Sequence, residues 1–343
     1  DGTPTQFQLL SPSRTGVDFA NQIEATAGMN IINYQDFYSG GGVAIGDING
    51  DSLPDLFFTG NQTANRLYLN LGAMAFEDIT ERAGITDAED WCTGTTMIDI
   101  NSDGLLDIYI ARSGLFPDSL RRNLLYVNLG DLTFEERAAA YGIDHDGYGV
   151  NACFLDYDRD GDLDMYLVNQ GPVVEDARDV YELRGQRDAH CGDVFFENRD
   201  GQYVDVTEAT GIYSSRIGFG HQASAADLDG DGWDDIYVSN DFFEHDYLYI
   251  NNGDKTFREV IAEATRHVSY SSMGNDVADF NNDTLPDVLV LDMVAEDNRR
   301  LKANLGGLDM KRFALSRELG FHYQYMFNAL HLNNGGAQFS EIA

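Results

Sequence analysis

One nine-residue pattern, Asp-x-Asp/Asn-x-Asp-x-x-x-Asp, returns five times along this chain of 343 residues. The copies place acidic or amide side chains at Asp47, Asn49, Asp51 and Asp55; at Asp99, Asn101, Asp103 and Asp107; and at Asp156, Asp158, Asp160 and Asp164. Two more follow, at Asp227, Asp229, Asp231 and Asp235, and at Asp279, Asn281, Asp283 and Asp287. Hard oxygen donors at positions 1, 3, 5 and 9, with a backbone carbonyl at position 7, match the six to eight oxygens that Ca²⁺ prefers. The pattern therefore predicts up to five Ca²⁺ ions, held by these twenty side chains.

The flanks decide what kind of loop this is. An EF-hand needs helices on both sides and a bidentate Glu at position 12, but position 12 here is Phe58, Ile110, Leu167, Val238 and Val290. These residues sit in short β-branched and aromatic runs, which read as buried strands. A third strand with a shared ending follows in each copy, as in Arg66-Leu67-Tyr68-Leu69-Asn70 and Tyr247-Leu248-Tyr249-Ile250-Asn251. After a turn rich in Gly, Asn and Asp comes a fourth, led by Phe76, Phe134, Tyr203, Phe257 or Phe339. Successive loops are 52, 57, 71 and 52 residues apart. Four short strands in about fifty residues is the signature of a propeller blade, whereas β-solenoid repeats are far shorter. The expected fold is all-β, a β-propeller of four-stranded antiparallel blades at about 40–85, 92–143, 148–212, 218–265 and 272–343. Residues 1–39 form a lead-in segment, in which Thr15 to Phe19 reads as a strand and Tyr34 to Tyr38 as an aromatic entry.

These stretches resemble the FG-GAP/VCBS-repeat propellers, and among them the bacterial CRTAC1-like proteins that often carry an ASPIC/UnbV segment further on. The residues that carry the resemblance include Gly40 to Asp47, Trp91 to Asp99, Phe154 to Asp158, Asp235 to Asp241, Asp246 to Asn252 and Met273 to Asp279. Ser52 and Thr284 depart from it, standing where the family's loop has Gly, and so does the run Gly220-His221-Gln222-Ala223. The resemblance implies further blades or domains beyond the five repeats, an unclosed fifth blade, and cell-envelope or adhesion roles more than chemistry.

Composition agrees with an extracellular or bacterial cell-envelope setting. The 58 acidic and 22 basic residues give a formal charge of −36, which repels nucleic acid and anionic membranes. Seventeen of the acidic residues lie in the loops, and millimolar calcium exists outside the cytoplasm. The three cysteines, Cys92, Cys153 and Cys191, are too few for a disulfide framework, and Cys153 reads as core. No apolar stretch is long enough to span a membrane.

In an up-and-down blade the Asp loop shares an end with the 3–4 turn, and the 2–3 connection lies at the other end. The long insertions, 113–122, 170–192 and 295–327, are all 2–3 connections. The last holds a predicted helix from Asp309 to Leu319, closed by Gly320. Long loops on a rigid scaffold are where binding concentrates, so this end is the expected site for a protein or glycan ligand. No familiar catalytic motif occurs, and the seven histidines are scattered. His331 lies where the other repeats have Tyr or Phe and reads as core or hydrogen-bonded. His221, with Gln222 and Asn151, is the best enzyme candidate and supports the alternative of a polysaccharide lyase or hydrolase. Calcium affinity is expected to fall from loops three and four, through loop two, to loops one and five, which lack a Gly at position 6. Asp160→Ala should then cost more calcium-dependent stability than Asp51→Ala.

Overall fold

The computed structural model describes residues 7–86, 90–171, 177–295, 297–304 and 310–342. Five antiparallel sheets of four strands each appear, and in every sheet the strands pair in chain order. Blade one comprises Val43–Gly46, Asp55–Phe58, Arg66–Asn70 and Phe76–Asp78; blade two Cys92–Ile98, Asp107–Arg112, Leu124–Asn128 and Phe134–Glu136. Blade three comprises Gly149–Leu155, Asp164–Asn169, Val194–Arg199 and Gln202–Asp205. Blade four comprises Gly220–Ala226, Asp235–Asn240, Tyr247–Asn251 and Phe257–Glu259; blade five Ser272–Ala278, Asp287–Asp292, Ala329–Asn333 and Phe339–Glu341. The chain divides into two compact bodies, 1–139 and 140–343.

In the first body, blades one and two share a core built on Phe57, Leu67, Ile108, Ile110 and Tyr126. Blades three and four of the second body meet through an aromatic lattice of Tyr157, Tyr166, Phe195, Tyr247, Tyr249 and Phe257, all at most 5% exposed. Burying each such ring contributes about 1.5–3 kcal/mol, so the lattice is the main apolar tie between those blades. Blades four and five join through Leu228, Leu248, Ile250, Val288 and Val290. The first strands of neighbouring blades lie side by side within each body. Gly220 is needed there, since a Cβ would come 2.4 Å from Val168 Cγ1.

Three sequence expectations need correction. Thr15 to Phe19 is not a strand: a short helix, Pro12–Thr15, ends in Gly16 at φ 80°. Beyond it the backbone bonds to side chains, Gln22 N–H to Thr63 Oγ1 and Glu24 N–H to Gln62 Oε1, so no ladder forms. Helix is not concentrated at 295–320 alone. Asn298–Asn304 and Met310–Glu318 lie there, with Asp309 outside the described residues, but the third-blade insertion also forms Ala177–Arg184. The short runs ahead of the loops, such as Thr96 to Ile98 and Asp276 to Ala278, read as the first strands, but in blades two to five these strands are seven residues long, each with a register shift among small and polar residues near its start. One short parallel pair, Val268–Ser269 with Gln324–Tyr325, ties the blade-five insertion to the link after blade four. No disulfide joins the cysteines, and burial pushes the Cys153 thiol up to about 12.

Every blade is also closed at the 2–3 end by an Asn or Asp placed just before the third strand. Asn65, Asn123, Asp193, Asp246 and Asn328 accept the backbone N–H of Gly60, Arg112, Asn169, Asn240 and Asp292 at 2.8–2.9 Å. In blades three and four a buried tyrosine completes the carboxylate, Tyr166 donating to Asp193 at 2.6 Å and Tyr237 to Asp246 at 2.7 Å. Blade two makes the same joint with an amide, Asn123 Nδ2 donating to the Tyr109 hydroxyl at 2.8 Å.

Burial lifts the carboxyls of Asp193 and Asp246 to about 7. A carboxyl whose folded pKa is raised stabilises the fold below its unfolded value and loses that contribution as pH rises through the folded one. Asp193→Asn and Asp246→Asn, which copy the blade-two joint, should therefore gain stability relative to the parent between pH 5 and 8. The expected gain, on the order of 1–3 kcal/mol, is measured by urea unfolding in saturating calcium.

Candidate functional site

The five Asp loops are built alike, from backbone donors upward. Position 1 accepts the N–H of position 6 at 2.7–3.2 Å. Position 3 accepts the N–H of position 5 at 2.9–3.2 Å. Position 5 accepts the N–H of position 7 at 2.8–3.0 Å. These bonds, with a further backbone donor to the other oxygen of position 1 in every loop, roll the loop into a tight cup. Slight burial works against ionisation of Asp47, but its four backbone donors hold the carboxyl below the usual range.

Position 9 is different. Asp55, Asp107, Asp164, Asp235 and Asp287 are at most 1% exposed. One oxygen of each accepts the N–H of loop position 2 at 2.9–3.1 Å. The other accepts the N–H of the third-strand Asn at 2.7–2.9 Å. That Asn (70, 128, 198, 251 or 333) turns its amide back to the carbonyl of loop position 8. Three of them also reach the preceding blade: Asn128 to the Ile48 carbonyl, Asn251 to Tyr157 and Asn333 to Leu228, at 2.7–2.9 Å. Sequence reading saw the recurring Asn but gave it no role. Its signal was present, an Asn at the same strand position in all five repeats.

Three carboxylates converge in two loops. Oxygens of Asp156, Asp158 and Asp164 lie within 4.8 Å of one another, as do those of Asp227, Asp229 and Asp231. In loops one and five Asn49 and Asn281 instead donate to Asp51 and Asp283 at 3.0 and 2.9 Å, replacing a repulsion with a hydrogen bond. Burial, reinforced by the neighbouring carboxylates, raises the carboxyls of Asp107 to about 6 and Asp164 to about 8. Asp235 rises to about 7 through burial, with Asp229 adding to it. Such a group of hard oxygens, electrostatically incomplete by itself, fits a divalent cation.

The structure separates loops that looked equal. Position 6 has positive φ throughout, including Ser52 at 68° and Thr284 at 75°. Position 4 is also left-handed, at Gly50, Ser102, Arg159, Gly230 and Asn282. Loop four alone has Gly at both places, and loop five has Gly at neither. In loop three, Lys255 from the blade-four turn places Nζ 2.5 Å from Asp158 Oδ2 and 2.6 Å from Glu197 Oε1, with both carboxylates nearly buried. The approach to Asp158 is off the hydrogen-bonding direction, so it is an ion pair. Arg159 stacks on Trp233 of loop four, 4.2 Å from the ring centre, which joins the two loops.

The histidine candidates fall elsewhere. His221 Nδ1 is 3.2 Å from Gln170 Nε2, burial depresses its pKa to about 4, and no carboxylate bonds either ring nitrogen among the described residues. Gln222 offers its carbonyl to Asn275, and Asn151 pairs with Val168 in the sheet. His331 is buried at 1% exposure, as expected of core, but neither ring nitrogen has a hydrogen-bond partner.

The FG-GAP-like repeat model matches residues 47–110 and 227–290, each stretch running from one Asp loop into the second strand after the next. Two stretches of the chain thus carry FG-GAP-like repeats, within a fold of four-stranded antiparallel blades. Cartilage acidic protein 1 of Xenopus tropicalis is 26% identical over 228 residues, covering 66% of this chain and 32% of that protein. The chain thus spans about a third of the length of that relative. Among solved structures, an Agrocybe aegerita lectin described as recognising non-reducing terminal N-acetylglucosamine aligns with TM-score 0.44 and 18% identity, over 86% of this chain and 64% of that one. The V. cholerae biofilm matrix protein Bap1 aligns at 0.39 and 15%, over 74% and 35%. At these scores neither likeness carries an argument about ligands.

Asn251→Ala removes the Tyr157, Asp234 and Gly253 contacts together. The loss should be about 2–4 kcal/mol, at roughly 1 kcal/mol per hydrogen bond plus stranded buried carbonyls. Asn252→Ala on the exposed turn should cost well under half as much, with both read from urea unfolding midpoints.

Proposed function

We propose that the protein is a secreted, calcium-binding propeller module that binds a protein or glycan through the ends of its blades bearing the 2–3 insertions. The observation that carries the calcium reading is the repeated cup, with position 1, 3, 5 and 9 side chains in the same backbone frame five times and three carboxylates converging in loops three and four. The positions expected to hold each ion are those of the sequence motif. Position 9 combines that role with its two backbone bonds, and a bound cation would keep its buried carboxylate ionised. Strong acidity and weak-site chemistry suit a millimolar-calcium environment outside the cytoplasm.

The binding reading draws on the placement of the insertions. Helices Ala177–Arg184, Asn298–Asn304 and Met310–Glu318 and exposed aromatics such as Tyr323 and Tyr325 all belong to 2–3 connections. His221 lacks a carboxylate partner among the described residues, which favours a binding module over the lyase or hydrolase alternative. No described helix is long and apolar enough to cross a membrane. The test is a screen against glycans and cell-envelope proteins in calcium, run beside a reducing-sugar release assay. Calcium-dependent binding without turnover is expected, and turnover of any polysaccharide would overturn the reading.

Calcium removal by a chelator should lower the melting temperature, since each site held at a hundredfold excess over its Kd adds about 2.7 kcal/mol. A melting temperature indifferent to chelator would sink the calcium assignment. Backbone strain of about 1 kcal/mol or more per non-Gly left-handed residue and the Lys255 ammonium reorder the affinities, with loop four tightest and loop five weakest. Asp231→Ala should therefore cost more calcium-dependent stability than Asp283→Ala. Lys255→Met should raise the affinity of loop three several-fold in calcium titration calorimetry, because a competing cation is removed from Asp158.

A further inference from the structure

In the middle of the third strand, blades one to four carry Tyr68, Tyr126, Phe196 and Tyr249, all at most 5% exposed. Blade five has His331 at that register, with Ala329 two residues before it. The smaller side chains coincide with a cavity of about 570 Å³ between blade five and the link that follows blade four. His331, His267, Arg266, Asn334, Gln338 and Glu341 are among its walls.

We propose that this cavity is a binding site for a neutral saccharide unit, with His331 as its buried polar anchor and Tyr325 as an aromatic ledge beside it. The inference rests on the binding-module reading above and narrows the ligand to a glycan. Both nitrogens of His331 and Nδ1 of His267 lack hydrogen-bond partners. Leaving such buried groups unpaired is costly. Burial lowers the His331 pKa to about 4, so the ring is neutral at physiological pH and offers one donor and one acceptor. A sugar hydroxyl both donates and accepts, so one hydroxyl can pair with a ring nitrogen in either tautomer. Asn334 and Gln338 add amide oxygens and nitrogens, Arg266, Glu263 and Glu341 are also in the lining, and His267 Nε2 stands 4.0 Å from Glu341. One guanidinium against two carboxylates, among many dual-character groups, disfavours an anion and suits a neutral polyhydroxyl ligand.

The second observation is the ledge. The His267 ring lies 5.3 Å from Tyr325 and 5.2 Å from Phe327, which joins the cavity to a row of rings. Phe313 stacks on Tyr325 at 5.9 Å, and Tyr325 on Phe327 at 6.3 Å. Tyr323 and Tyr325 are 42% and 41% exposed. The Arg317 guanidinium lies over one face of Tyr323, 3.7 Å from the ring centre, so the half-exposed Tyr325 is the ring that offers an apolar face with a polar tip, which suits the C–H face of a pyranose. A pocket with a few convergent polar groups and such a platform is the arrangement expected of a small-ligand site.

The test is isothermal titration of the full chain in millimolar calcium with free hexose, 6-deoxyhexose and N-acetylhexosamine, and with neutral oligosaccharides containing them. At least one class should bind. His331→Phe, which installs the ring type of the other blades, should weaken that binding at least tenfold while leaving the melting temperature equal or higher. Tyr325→Ala, at a half-exposed ring outside the buried core cluster, should weaken it at least threefold, so the site stays testable if the first variant misfolds. Binding unchanged in Tyr325→Ala and in folded His331→Phe would overturn the cavity while leaving the module reading intact. Failure of every saccharide would also overturn it. The module reading would then stand or fall separately, on the protein screen and the turnover assay.

Discussion

The structure depends on a buried carboxylate at the end of each Asp loop. Position 9 takes two backbone N–H donors, one from its own loop and one from the third strand, and so fastens the 1–2 loop to the 3–4 turn. Desolvation makes that carboxylate expensive to ionise, and the carboxylates beside it add to the difficulty. A cation in the cup relieves both. Under the calcium reading proposed above, the group that shapes the loop is also the one whose charge the ion would balance.

The third-strand Asn extends this joint between blades. Its amide bonds the carbonyl of loop position 2 in the preceding blade, seen for Asn128, Asn251 and Asn333. A change in one loop is therefore felt by the next blade through a single side chain. Loops three and four have two further ties, the Lys255 ion pair and the Arg159–Trp233 stack. At the opposite ends, Asn65, Asn123, Asp193, Asp246 and Asn328 close the 2–3 connections, leaving the insertions beyond them free to vary without loosening the sheet.

Much of this was legible because its causes are local. The Asp pattern prescribes a tight turn with oxygen donors, and the β-branched runs on either side prescribe strands. Repetition then makes each reading confirm the others, so blades and loops could be read without coordinates. The helix at 310–318 was legible for the same reason. Thr15 to Phe19 was misread because the alternation of Val17 and Phe19 does not reveal whether a ladder partner exists, and here Gly16 turns the chain aside first.

By itself the sequence determined the blade repeat, the five cups and the acidity that calls for cations, since each follows from short-range spacing and residue chemistry. Tertiary structure alone decided which loops are equal and where an open space lies. Lys255 is 97 residues from Asp158, and His331 is 64 from His267, so no window along the chain shows either pair. Side-chain volume works the same way: the repeats alone show His331 where the others have Tyr or Phe, but only the fold shows the open space beside it. Sequence specifies which groups are available, but pairing across blades requires the folded distances, because charge and packing act through space and not along the chain.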